Sequence, residues 1–211
     1  MPALTPERRA KVRENIELAA IRCFVRRGFH GTTTREIAAE AGVSTGGLYA
    51  HYPGKEEFFP AIIERYRRVF AQPDNPLLIH FASTRFPDDI PALAEAIEAV
   101  IRKHRDFWLL WYVDVLEFGG KHFADSLLQD VPDHPGLRAR FKELAGSDRL
   151  RVDAKTAFHT VYLHLFNHLI VEVLFRGTKP GVARRAEVQA IADISLHGVL
   201  ALAASPPPEK S

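Results

Sequence analysis

The 211-residue chain has a single cysteine, Cys23. No internal disulfide can therefore brace the fold, and a reducing, cytoplasmic setting is expected. Long apolar runs are scarce. The richest, VYLHLFNHLIVEVLF at 161–175, is broken by His164, Asn167, His168 and Glu172, so no membrane partner is expected. The opening MPALTPERRAKVRENIE lacks the apolar segment of a secretory leader. Strand-type alternation is missing throughout. Missing too are a nucleophile elbow, a phosphate-cradling Gly loop and a complete metal-ligand set. Hence no enzyme, no catalytic residue, no metal and no cofactor is expected.

An excess of one charge is also lacking, because the net charge is only +2. Its distribution is uneven. Residues 1–71 carry twelve Lys and Arg against eight Asp and Glu, and the remainder carries sixteen against eighteen. A basic head on a slightly acidic body is the asymmetry of a head that meets a polyanion.

What the chain does have is helical spacing, and it reads as all-α. Thr5-Pro6-Glu7 opens a first helix whose stripe is Val12, Ile16, Ala19, Ala20, Cys23 and Phe24, closed by Gly28. Cys23 on that stripe reads as a small core residue. A second helix starts at Thr33 or Thr34, where TTRE has the form of a capping box, and stops at Gly42. A third runs from Ser44 or Thr45 to His51, and a fourth from Lys55 to about Phe70. Further helices are expected at 77–82, 90–104, 107–128 with a bend at Gly119-Gly120, 137–145, 154–176 and 181–203.

Helices two and three with the Gly42 turn have the form of a helix-turn-helix. Leu48 faces inward. The rest of the third helix is short polar side chains or bare backbone, a surface able to sit deep in a DNA groove. The adjacent Gly46 and Gly47 admit two explanations: close approach to DNA, or relief of packing against the first helix.

FVRRGFHGTTTREIAAEAGVSTGGLYAHYPGKEEFF resembles the DNA-binding region of the TetR family of transcriptional regulators. The match is dense over residues 8–70, about a third of the chain. The resemblance implies an N-terminal three-helix DNA-binding domain with a helix-turn-helix (1–54). A fourth helix then leads into a helical effector-binding and dimerisation domain (55–204), followed by a disordered tail (205–211). It implies that Thr34, capping helix two, and Arg35 meet phosphate or a nearby base, and that Ser44 caps the recognition helix. Thr45 and Gly47 fall where base edges are read, and Gly46 lets the backbone approach. Tyr49, His51 and Lys55 contact phosphates, and Tyr52 is a partly buried anchor. Many members carry longer side chains at the positions of Thr45 and Gly47, so more of the specificity here falls to DNA shape.

The implied function is that of a ligand-responsive regulator, most simply a repressor. It would bind a double-stranded, pseudo-palindromic operator as a homodimer and be released by a small hydrophobic effector. An all-α carrier or enzyme with a vestigial helix-turn-helix is the alternative. Effector-binding candidates are Trp108, Trp111, Tyr112, Glu117, Phe118, His122, Tyr162 and Asn167. Asp114 and Glu117 stand out as carboxylates on an apolar helix. Small and apolar stripes propose a dimer interface of Phe158, Leu165 and Leu169 with Val188, Ile191, Ala192, Ser195, Gly198, Val199 and Leu202. His164 and His168 have the spacing of a two-His metal site. With no third ligand near in sequence, they and His159 read instead as a polar patch.

Overall fold

A computed structural model describes residues 5–123, 134–177 and 182–199, and among these every regular element is helical. Local signals account for most boundaries. α1 (Pro6–Arg27) begins where Thr5 accepts the Arg8 N–H, with Pro6 in its first turn, and stops at Gly28. α2 (Thr34–Ala41) opens with a reciprocal capping box, Thr33 to the Glu36 amide and the Glu36 carboxylate to the Thr33 amide. Gly42, at φ +69°, turns the chain into α3 (Thr45–Tyr49), capped by Ser44. A 3₁₀ turn at Lys55–Glu57 leads into α4 (Phe58–Phe70).

The next helices are α5 (Pro76–Ala82), α6 (Ile90–Lys103) and α7 (Arg105–Phe118), then α8 (Pro135–Leu144), α9 (Ala154–Ile170) and α10 (Val182–Val199). α7 does not bend at Gly119-Gly120. It ends there, with Gly119 in the left-handed region. The expected continuation beyond residue 123 and the expected tail at 205–211 lie outside the described residues. α9 is followed by a π-helical turn, Val171–Phe175. By length and composition alone Ala154–Phe175 would span a membrane, at mean hydropathy 1.2. However, 56% of that window is buried inside the protein, as in a core helix.

The chain forms two compact units. One comprises α1–α4 with α7, and the other α5, α6 and α8–α10. In the first, Phe24 stacks on Phe59 at 5.6 Å, meets Phe58 edge-on and lies tilted against Phe29. Phe118 of α7 adds edge contacts to Phe29 and Phe59. Rings arranged this way bury large areas and add about 0.5–1.5 kcal/mol per pair beyond burial. Further along, Tyr66 and Phe70 of α4 pack on Phe107 and Trp108.

The second unit is centred on Phe158, which packs edge-on to Phe81 and Phe86 and lies against Tyr162 and Phe141. His134 caps α8 by accepting the Gly136 N–H at 3.2 Å. Burial pushes its pKa below the ordinary histidine value, which favours the neutral ring that an acceptor must be.

Gly136 is a second requirement of the same contact. A Cβ there would lie 2.1 Å from the Phe81 carbonyl oxygen and 3.0 Å from the Ala82 Cα. Both are backbone atoms that cannot swing aside. Gly136→Ala is therefore expected to destabilise the protein by about 1–3 kcal/mol, the usual range for overpacking. Urea denaturation checks this, and an unchanged midpoint would contradict the close approach of α8 to α5.

Candidate nucleic-acid interface

Three backbone devices present α3. Ser44 Oγ accepts the Gly47 N–H at 3.0 Å, the Gly42 turn fixes the angle to α2, and Leu48 is fully buried beneath. Thr45, Gly46 and Tyr49 are left exposed, with Gly47 half-buried. Around Gly46 the space is empty, because a Cβ built there meets nothing within 4 Å. At Gly47 a Cβ would come within 3.1 Å of Ser44 Oγ, the cap itself. Packing against α1 therefore does not account for Gly46, and a local constraint of the cap does bear on Gly47.

The neighbouring candidates divide by what they touch. Thr33, not Thr34, caps α2. Thr34 occupies the first turn, and its hydroxyl is 3.0 Å from that of Tyr49, tying the start of α2 to the end of α3. Arg35 is exposed and makes no ion pair among the described residues. His51 is half-buried just past α3. Tyr52 is more deeply set than a partly buried anchor, at 2% exposure. Its hydroxyl donates to Glu17 at 2.5 Å and accepts from Arg13 at 2.9 Å. Burial, reinforced by the Glu17 carboxylate, raises the phenol far above its ordinary pKa, so it stays a donor. Lys55 is turned inward, donating to the carbonyls of Phe29 and Thr32.

The basic surplus of the head resolves into paired and unpaired cations. Arg22 and Arg26 bond Glu40, Arg27 bonds Glu36, and Arg65 bonds Glu14. Arg8, Arg9 and Lys11 in the first turns of α1 are exposed and, like Arg35, without an ion pair among the described residues. Composition pointed to a basic head but not to these four positions, since pairing depends on which acids the fold brings near. A groove of about 350 Å³ on this unit is lined by Cys23, Arg26, Arg27, Glu36, Ala39 and Glu40. Its charges are mutually paired, and it contains none of the residues expected at the effector.

Residues 17–62 match the family model described as bacterial regulatory proteins, tetR family. Two curated relatives extend the likeness. The HTH-type transcriptional repressor BepR of Brucella suis is 35% identical over 92 residues, 44% of this chain and 42% of BepR. The HTH-type transcriptional repressor KstR2 of Mycolicibacterium smegmatis is 31% identical over 147 residues, 66% of this chain and 62% of KstR2. Residues 17–62 are a TetR-family segment. A TetR family regulator from Pseudomonas syringae pv. tomato superposes with a TM-score of 0.63 at 21% identity. That superposition covers 93% of this chain and 99% of the other, so the whole fold is shared. The matched segments span less than two thirds of the length of BepR and KstR2.

Outside the TetR helix-turn-helix, the candidates expected to meet an effector fall into both units. In the first, Glu117 accepts the Phe29 and His30 amides, and Phe118 packs on Phe29 and Phe59. His122 Nδ1 lies 2.6 Å from the buried Asp114 carboxylate, and its ring stacks on Phe59. Trp108 is buried against Phe70 and Phe107. Trp111 and Tyr112 are half-buried, side by side at 6.1 Å. In the second unit Tyr162 is buried between Phe158 and Phe166, and Asn167 is exposed, bonded back to the Leu163 carbonyl.

The dimer stripe is placed inward. Phe158, Leu165, Leu169, Ala192 and Ser195 are buried within the single chain, and Val188 and Ile191 are half-buried. The side chains of Gly198 and Val199, and all of Leu202, lie outside the described residues. Exposed apolar side chains on these last two elements are instead Val171, Phe175 and Ile194. His159 and His164 are exposed, and His168 Nε2 is 3.8 Å from Glu187. Among the described residues no three His, Cys, Asp or Glu groups converge as a metal set.

Proposed function

We propose that this chain is a ligand-responsive, DNA-binding transcriptional regulator of the TetR family. It acts in the cytoplasm as a repressor, binding a pseudo-palindromic operator as a homodimer, and it has no catalytic role. The observation that carries this reading is the bare surface of α3: a capped, rigidly seated helix that presents Thr45 and an unencumbered Gly46 outward. The names of BepR and KstR2 as transcriptional repressors support repression over activation. In this reading Thr45, Gly46 and Gly47 meet the groove. Thr34, Arg35, Ser44, Tyr49 and His51 meet the sugar-phosphate backbone, while Tyr52 and Lys55 hold the reading helices from behind. Arg8, Arg9 and Lys11 add phosphate contacts.

Two-fold operators require recognition helices about 34–36 Å apart. The dimer face we assign is the exposed apolar set Val171, Phe175 and Ile194, because Phe158, Leu165, Leu169, Ala192 and Ser195 of the stripe legible in the sequence are already buried inside the chain. The effector we assign is a small hydrophobic molecule. Trp111 and Tyr112 are its best-placed contacts, since each is half-buried and both lie on α7, within the first unit. A ligand lowers operator affinity only by its differential affinity for the two states, so the effector must favour one spacing of the recognition helices.

Selecting sheared genomic DNA on the purified protein and sequencing what is retained tests the reading. A recurrent pseudo-palindrome near promoters is expected, and no enrichment at low salt would refute it. On the selected site, Arg35→Ala is expected to weaken binding across sequences and to flatten the slope of log K against log salt by about 1. An unchanged slope would remove Arg35 from the phosphate contacts.

A further inference from the structure

The corner between α1 and α2 has little regular structure of its own. A single backbone bond, from the Thr32 N–H to the Phe29 carbonyl at 3.2 Å, closes it. The Thr32 hydroxyl adds a bond to the Gly28 carbonyl at 2.8 Å, and side chains from elsewhere grip the middle of the corner. Glu117, one residue from the end of α7, accepts the Phe29 N–H at 2.9 Å with one oxygen and the His30 N–H at 2.8 Å with the other. Lys55, just ahead of α4, donates to the Phe29 carbonyl at 2.7 Å and the Thr32 carbonyl at 2.8 Å, and its ammonium lies 4.3 Å from the Phe29 ring. Two amides and two carbonyls of one short corner are thus taken up by an anion on one side and a cation on the other. Both bonds of Glu117 are charge-assisted, the stronger class.

Two further features make this a built contact. Gly28 is the residue that leaves room for the carboxylate, since a Cβ there would lie 2.2 Å from Glu117 Oε1. Phe118, the next residue on α7, wedges its ring edge-on against Phe29 at 4.8 Å. The corner ends at Thr33, the cap of α2, so its position fixes where α2 starts. Through the Gly42 turn it also fixes where α3 points.

We propose that Glu117 and Lys55 are positioning residues for DNA reading. α7 holds the helix-turn-helix in its reading orientation through the Glu117 carboxylate, and withdrawal of that carboxylate by about the length of a hydrogen bond releases the corner. This rests on the DNA-reading function proposed above. It gives α7 a defined mechanical output, and it gives Glu117 a role in transmission in place of contact with the effector.

Glu117→Gln tests it. The amide keeps the size of the side chain but turns an N–H₂ group toward one of the two backbone donors, so one bond is lost and replaced by repulsion. Affinity for the selected genomic site is expected to fall about tenfold, and further in Glu117→Ala. Hydrogen exchange is expected to quicken at Phe29, His30 and through α2 and α3 while remaining unchanged in α6 and α9. A purely structural contact would lower the melting temperature and leave affinity per folded molecule intact, and that result would overturn the proposal.

If the wild-type protein retains no DNA, the regulator reading fails by itself. The exchange pattern then decides the clamp alone, and unaltered exchange in α2 and α3 would refute it. Should Glu117→Gln fail to fold, Lys55→Met cuts the opposite side of the clamp. It must then quicken exchange over the same segment, or the proposal falls.

Discussion

Replacing Gly46 with alanine is expected to stabilise the free protein and weaken its grip on DNA, two effects of opposite sign from one methyl group. The first follows from the backbone. Gly46 is interior to α3, its φ is not positive, and a Cβ there meets nothing within 4 Å. Alanine costs no strain and removes the entropic penalty of glycine in a helix, worth about 0.5–1 kcal/mol. The second effect follows if α3 lies against the groove floor. A methyl group inserted where two surfaces already touch costs about 1–3 kcal/mol, or roughly 5- to 150-fold in affinity. Urea denaturation and a binding isotherm on the selected site measure the two halves separately. Higher stability with unchanged affinity would mean that Gly46 does not face DNA. Gly47→Ala is the poorer probe, because its Cβ would crowd Ser44 Oγ and disturb the cap as well as the interface.

That separation was only half visible in the sequence. The caps, the Gly42 turn and the stripe of α1 are local signals, set by residues three or four apart, and those helices start and stop within a residue or two of expectation. α3 ends sooner than expected. The His51 and Tyr52 amides both turn back to the Leu48 carbonyl, tightening the chain before His51 can extend the helix. The roles of Lys55 and Glu117 were beyond local reading. Their partners are Phe29, His30 and Thr32, up to 88 positions away in the chain. Nothing in a motif distinguishes a lysine reaching for phosphate from one reaching for a carbonyl. The stripes of α9 and α10 illustrate a different limit. Periodicity reveals that Leu165 and Ala192 are buried, but not whether a symmetry mate or the same chain covers them.

Asp114 carries the other large expected effect, and it turns on what a fully buried carboxylate is for. The side chain has no exposure. It accepts the backbone N–H of His122 at 3.1 Å, that of Phe123 at 3.2 Å, and His122 Nδ1 at 2.6 Å. The Asp114 carbonyl takes the Gly120 amide as well, so one residue gathers the whole turn that ends α7. Asp114→Ala would strand two backbone donors and an imidazole, the buried Phe123 amide among them. Each lost acceptor costs about 1–3 kcal/mol, and three donors losing theirs together put the total at the upper end of that range or above it. A loss of that size is expected for Asp114→Ala. A smaller loss is expected for Asp114→Asn, which keeps one acceptor oxygen. The damage should centre on the turn where His122 stacks on Phe59, so the near-ultraviolet signal of the aromatic cluster reports it along with the denaturation midpoint. An acid or base held for chemistry would behave in the opposite way, since its removal would spare stability and abolish a reaction. Asp114→Ala at wild-type stability would therefore overturn the structural role.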